Sequence, residues 1–191
     1  MSVIDGKTML EVLRDFVQKA EQSAISYMVT GSFAMSAYGE MRFTRDIDVV
    51  IEISREQIID FFQFFEKDYY LSVNSIKRAV ENQSMFNLIH LEKAVKIDCI
   101  VRKKSEFERL KFVNRRQISV GELSFWIITK EDLIVSKLNW AKSSSSEMQL
   151  KDVANLTGDD YDSEYVETWI EKLNLEEIWQ KVLEWKIQHP K

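Results

Sequence analysis

The sequence predicts an α+β protein: a mixed sheet with flanking helices, followed by a helical C-terminal region. Three observations predict it. Short β-branched apolar runs alternate with segments of helical period as far as residue 128. From Thr129 onward the apolar residues recur only at helical spacing. Only five Gly and one Pro interrupt the 191 residues, too few for a disordered or linker-rich chain. The expected division is a sheet-bearing core over 1–128 and a helical region over 129–191 packed on it.

Each element has a local reason. Met9, Leu10, Val12, Leu13, Phe16, Val17 and Ala20 form one amphipathic face, which predicts a helix from Thr8 to about Ser23. Ser26–Thr30 is a short apolar run before Gly31 and reads as a buried strand. A short helix of small and apolar residues follows over Gly31–Tyr38 and ends at Gly39. The charged stretch Glu40–Arg45 is a loop, and Asp46–Ile53 is a β-branched central strand. Ser54 and Gln57 have capping-box spacing for the next helix, whose Phe61, Phe62, Phe64 and Phe65 are expected in the core. A second short helix is expected over Ser75–Asn82. Met85–Leu91 and Ala94–Val101 read as a hairpin, although the linking Glu92-Lys93 is no favoured turn. A helix from Ser105 to about Phe112 precedes a second strand pair, Arg116–Val120 and Leu123–Ile128, around Gly121-Glu122. Thr129 with Asp132 caps the next helix, Ser143–Ser146 is a polar break, and three helices follow (Glu147 to about Thr157, Ser163–Lys172, Leu175–Ile187).

Composition excludes several classes. The net charge of −5 does not fit a nucleic-acid-coating protein. Arg102-Lys103-Lys104 and Arg115-Arg116 read as solvated surface. The single Cys99 excludes an intramolecular disulfide and reads as a small buried residue. His90 and His189 are too few and too far apart for a His-rich zinc site. No apolar window approaches the roughly 18 residues of a membrane span, and no apolar leader opens the chain. The expected location is the cytoplasm.

The chemistry centres on Val29-Thr30-Gly31-Ser32 and Asp46-Ile47-Asp48-Val49. Asp46 and Asp48 lie one residue apart on a strand, so both carboxylates share a face while Ile47, Val49 and Ile51 take the other. Such carboxylates repel unless a cation intervenes, and hard oxygens suit Mg²⁺ or Mn²⁺. Gly31 permits close backbone approach, and the amides from Ser32 onward open a helix end that favours anions. Asp98 interrupts an apolar strand, Val95–Ile100, where an ionised carboxylate is costly unless paired or metal-bound. It is the candidate third ligand of a two-metal site. The alternative for Asp98 is an edge-strand residue facing water beside Lys96.

On these residues the chain resembles the DNA polymerase β-like nucleotidyltransferases. Their pattern is an apolar residue, Gly, then Gly or Ser, a variable gap, Asp-apolar-Asp-apolar, and a third carboxylate on a later strand. The matches are Gly31-Ser32, Asp46-Ile47-Asp48-Val49 and Asp98. The resemblance implies Mg²⁺- or Mn²⁺-dependent transfer of a nucleoside monophosphate from an NTP such as ATP to a hydroxyl. Asp46 and Asp48 would be metal ligands, Asp98 a ligand and base, and Gly31-Ser32 the triphosphate grip.

Within that superfamily the chain looks most like AbiEii-toxin-like and related uncharacterised bacterial groups, over roughly residues 25–157. The carriers are Arg42-Phe43-Thr44-Arg45-Asp46-Ile47-Asp48, Glu131–Leu138 with Lys137, and Leu150-Lys151-Asp152-Val153. The resemblance makes Lys137 a phosphate-neutralising cation and Asp152 its orienting partner. Arg42 and Arg45, just before the aspartate strand, are read either as positive phosphate clamps or as surface partners of Glu40 or Glu52, and Thr44 is counted with the nucleotide-binding residues. Asn155 stands where those relatives often carry a further Asp. The implied acceptors are tRNA, a protein hydroxyl or a small molecule; the acidic net charge speaks against a large RNA. A cognate toxin or antitoxin partner, or a homodimer, is also implied. Thr44–Asp48 is similar to the antibiotic-adenylylating enzymes too. The rivals are a non-catalytic nucleotide-binding or antitoxin-like module of the same fold, and a plain helical interaction protein.

Overall fold

The computed structural model describes residues 6–40, 44, 46–144, 146–158 and 160–189. The chain runs α1 (Gly6–Gln22), β1 (Ser26–Thr30), α2 (Gly31–Ser36), β2 (Asp46–Glu52), α3 (Ile58–Phe65), β3 (Tyr69–Tyr70), α4 (Val73–Asn82), β4 (Met85–His90) and β5 (Lys96–Val101). Then come α5 (Glu106–Asn114), β6 (Arg116–Val120), β7 (Leu123–Ile127), α6 (Lys130–Ser144), α7 (Glu147–Leu156), α8 (Ser163–Lys172) and α9 (Glu176–Gln188). The strands form one mixed sheet in the order β3-β4-β5-β2-β1-β7-β6. That sheet excludes the all-helical reading. Among the described residues no helix is long and apolar enough to cross a membrane.

One side of the sheet is sealed by aromatics. Tyr27, Ile47, Val49, Ile51, Phe86, Ile97 and Cys99 are buried there, with Phe16 from α1 and Phe61 and Phe65 from α3. Phe61 stacks on Phe65 at 4.5 Å and meets Phe86 edge-on at 5.7 Å, while Phe16 meets Tyr27 edge-on at 5.8 Å. Burial pushes the Cys99 thiol pKa up, which suits an inert packing residue. A single apolar cluster runs from Met9 to Val182, so α6–α9 share it with the sheet.

Local deviations from the sequence reading have physical causes. Ser54 does not cap α3: its backbone N–H donates to Gln57 Oε1 at 3.0 Å, its hydroxyl engages Glu56, and the helix starts at Ile58. Phe61 and Phe65 are core, but Phe64 is 38% exposed because it falls on the outer face of α3. The β4–β5 turn forms without a favoured dipeptide because His90 Nδ1 accepts the N–H groups of Glu92 and Lys93, both at 3.3 Å, and Ala94 adopts φ +51°. The polar break after Trp140 is shorter than expected. Ser143 and Ser144 donate back to the Trp140 carbonyl and stay within α6. Arg115 is not simply solvated; its guanidinium lies 4.3 Å from the Phe112 ring centre and 5.0 Å from that of Trp126.

Thr129 and Asp132 cap α6 as their spacing predicts: the Thr129 hydroxyl donates to Asp132 Oδ2 at 2.9 Å, and Asp132 N–H donates back at 3.2 Å. Asp132 also accepts from the Tyr165 hydroxyl at 2.7 Å, which ties α8 to the start of α6. Burial raises its pKa against those donors.

Candidate active site

Strand pairing assembles the site. β2 lies between β1 and β5, antiparallel to the first and parallel to the second. Thr30 pairs with Asp48, and Asp48 with Asp98; two positions back along the ladder, Asp46 pairs with Lys96. Paired residues point to the same side of a sheet. Asp46, Asp48, Asp98 and Lys96 therefore share the face opposite the aromatic seal. β5 is an interior strand and Asp98 is only 8% exposed, so the edge-strand alternative fails.

Asp48 sits against the Gly31-Ser32 turn. Gly31 has φ +66°, and a Cβ built there would stand 2.6 Å from Asp48 Cγ and 2.8 Å from its Cβ. Only glycine leaves room for the carboxylate. The Ser32 backbone N–H bonds that carboxylate. Burial first, then the charges of Asp98 and Asp46, push the Asp48 pKa up to about 6; Lys137 and the Ser32 N–H pull the other way.

Lys96 occupies the space between two of the aspartates. Its Nζ lies 3.2 Å from Asp46 Oδ2 and 2.9 Å from Asp98 Oδ2. Asn87, opposite Asp98 on β4, donates its Nδ2–H to Asp98 Oδ1. Neither residue was assigned a role from the sequence. Lys96 carried the signal, being two residues before Asp98 and so on its face. Asn87 becomes visible only once the hairpin register is known.

α6 closes the other side. Lys137 and Asp152 pair at 2.7 Å, with side chains 3% and 5% exposed, and Lys137 also donates to Gln149 Oε1 at 3.1 Å. A cavity of about 150 Å³ is lined by Thr30, Gly31, Asp48, Ser136, Lys137 and Trp140 among others. A larger one, about 340 Å³ among α6, α7 and α9, touches none of the three aspartates. Removing one partner of a buried pair leaves an uncompensated charge. Lys137→Met is therefore expected to lose about 3–5 kcal/mol of stability in urea denaturation. The double variant Lys137→Met, Asp152→Leu should regain most of that loss; failure to do so would mean the pair does not act as a unit.

Thr44 is turned onto β2: its hydroxyl lies 3.0 Å from the Asp46 carbonyl, to which it donates, and 3.3 Å from the Asp46 N–H. Arg42 and Arg45 lie outside the described residues.

Among the described residues no three carboxylate, Cys or His side chains converge as a ready ion site. The donor set nonetheless fits a hard divalent cation. Three carboxylates share one face of adjacent strands, and burial together with their mutual repulsion lifts Asp48.

A Gly-Ser turn packed on a paired-aspartate strand, with a third carboxylate on the neighbouring strand, is the pattern on which the sequence resembles the polymerase β-like nucleotidyltransferases. Residues 7–175 match the family described as nucleotidyltransferase of unknown function (DUF6036), and the chain belongs to that family. No curated protein matches it. In fold it is similar to an antigenic nucleotidyltransferase-like protein from Paracoccidioides brasiliensis, at 14% identity and TM-score 0.56 over 94% of this chain and 95% of that one. It is similar to ANT(2")-Ia in complex with adenylyl-2"-tobramycin at 11% identity and TM-score 0.59, over 88% and 98% of the two chains. It is also similar to the lincosamide antibiotic adenylyltransferase LnuA, lincomycin-bound, at 15% identity and TM-score 0.52, over 83% and 100%. At these identities the likeness is one of fold.

Proposed function

We propose that this nucleotidyltransferase moves a nucleoside monophosphate from an NTP to a hydroxyl with the help of Mg²⁺ or Mn²⁺. The observation that carries the reading is the cross-strand row Thr30–Asp48–Asp98, with Gly31-Ser32 at one end and Asp46 alongside. In this reading Asp46, Asp48 and Asp98 hold the cation. Bound there, it would neutralise charge building on the phosphates and make the acceptor hydroxyl easier to ionise. Gly31 and Ser32 present backbone amides to the triphosphate. Lys137, held by Asp152, adds positive potential beside Asp48, in the cavity those residues share. Arg42 and Arg45 are the further phosphate clamps, and Thr44, between them in sequence, donates its hydroxyl to the Asp46 carbonyl.

Asp98 takes the proton of the acceptor hydroxyl, whose oxygen attacks the α-phosphorus, and pyrophosphate leaves. The acceptor approaches from the β4–β3 side of Asp98. What supports this is the open sheet face there, where Asn87, Ile89 and Tyr70 are exposed on the Asp98 side. These exposed side chains carry no charge, which suits a small molecule or a protein hydroxyl better than a polyanion. A toxin–antitoxin setting remains part of the proposal through the acceptor alone.

The test is transfer of α-phosphate label from each NTP to RNA, protein and metabolite pools. Label should appear in one pool only with Mg²⁺ or Mn²⁺, and Asp46→Ala should abolish it. Transfer that survives Asp46→Ala would sink the mechanism. Metal-dependent NTP binding without label in any pool would favour the non-catalytic module.

A further inference from the structure

We infer that the Lys96 ammonium stands in for one of the two divalent ions that a three-carboxylate site can take, so that the chain holds a single divalent ion with its nucleotide. The inference rests on the metal-dependent reading above. Lys96 is the residue of β5 paired with Asp46 and lies two positions before Asp98, so strand geometry aims its side chain at both. Its Nζ reaches Asp46 Oδ2 at 3.2 Å and Asp98 Oδ2 at 2.9 Å. A second ion between Asp46 and Asp98 would relieve the repulsion of their carboxylates, and here a covalently tethered charge already does so.

The remaining oxygens point the same way. Asp98 Oδ1 accepts from Asn87, so both oxygens of Asp98 are engaged by donors of the chain itself. Among the described residues no lysine lies within salt-bridge distance of Asp48, whose carboxylate meets the Ser32 N–H at the Gly31 turn; one ion beside that turn would be held chiefly by Asp48 and Asp46, and by Asp98 only through a lone pair that Lys96 and Asn87 leave open. β5 is held between β4 and β2, so the root of Lys96 does not drift.

The experiment counts Mn²⁺ bound per full chain, by the electron paramagnetic resonance of free Mn²⁺, in the presence of a non-hydrolysable α,β-methylene triphosphate. One ion is expected for the wild type. Two are expected for Lys96→Met, the second gaining at least tenfold in affinity. Lys96→Gln is also neutral, retains a hydrogen-bonding end, and serves if the methionine variant fails to fold. Two ions in the wild type would overturn the inference, as would one ion in both folded variants. No ion in any of the three proteins would instead refute the metal-dependent reading on which it rests.

Discussion

Gly31→Ala is expected to disable the protein more thoroughly than its single added methyl implies. Two costs add. The residue sits at φ +66°, where an L side chain is disfavoured by about 1–2 kcal/mol. Its Cβ would also overlap the Asp48 carboxylate. Asp48 must then move off the Ser32 amide and away from the row it shares with Asp98. The overlap adds overpacking strain of about 1–3 kcal/mol, so the total loss should be about 2–5 kcal/mol. A displacement of about 1 Å at a reacting centre costs on the order of 100-fold in rate, and label transfer should fall by at least that much. Thermal denaturation and kcat would be measured on the same preparation. An alanine variant with unchanged Tm and unchanged kcat would show that the carboxylate is not held against the turn.

Asp48→Asn should move stability and activity in opposite directions. The Asp48 pKa rises from 3.8 to about 6 on folding, so the folded state prefers the protonated acid. The stabilisation carried by that proton is complete below about pH 3.8 and is lost as pH climbs through about 6. Asparagine cannot ionise and keeps it. In the metal-free protein the variant should match the wild type below pH 4 and overtake it between pH 4 and 6. Above pH 6 it should stay ahead by about 2–3 kcal/mol. Its transfer activity should be lost by at least 100-fold. Added Mg²⁺ should raise the Tm of the wild type and leave that of the variant where it was. Denaturant titrations at pH 4, 6 and 8 check the sign; a variant less stable than wild type at pH 8 would contradict the burial and repulsion assigned to Asp48.

Much of the site was legible because a period of two is read directly from sequence. Asp46 and Asp48 had to share a face, and Asp98 had to belong to the interior of its strand if it was to have a partner. The neighbours of β2 were not legible. Nothing in Asp46–Glu52 states that β1 lies antiparallel on one side and β5 parallel on the other. That order depends on how α3, β3, α4 and β4 pack between them. Lys96 entered the sequence reading only in the alternative for Asp98, as the water-facing companion of an edge aspartate. Placing β5 inside the sheet turned it into the bridge between two carboxylates. The resemblance already linked Lys137 to Asp152, but Gln149 gave no signal, and only the approach of α7 brings it to the lysine. Side chains that replace expected backbone signals, as His90 does at the β4–β5 turn, are invisible to rules written for turn dipeptides.

The parallel pairing of β2 with β5 also sets a schedule. Parallel neighbours need a long crossover, and here α3, β3, α4 and β4 are all made before β5 arrives. A chain emerging from the ribosome has its Gly-Ser turn and first two aspartates well before Asp98 and Lys96, and Lys137 later still. Long-range pairing of this kind is a slow step in folding, because the closure entropy comes before the contacts that offset it. The nascent protein thus holds Asp46 and Asp48 without Asp98 or Lys96, and it gains its third carboxylate and its tethered cation in a single docking event.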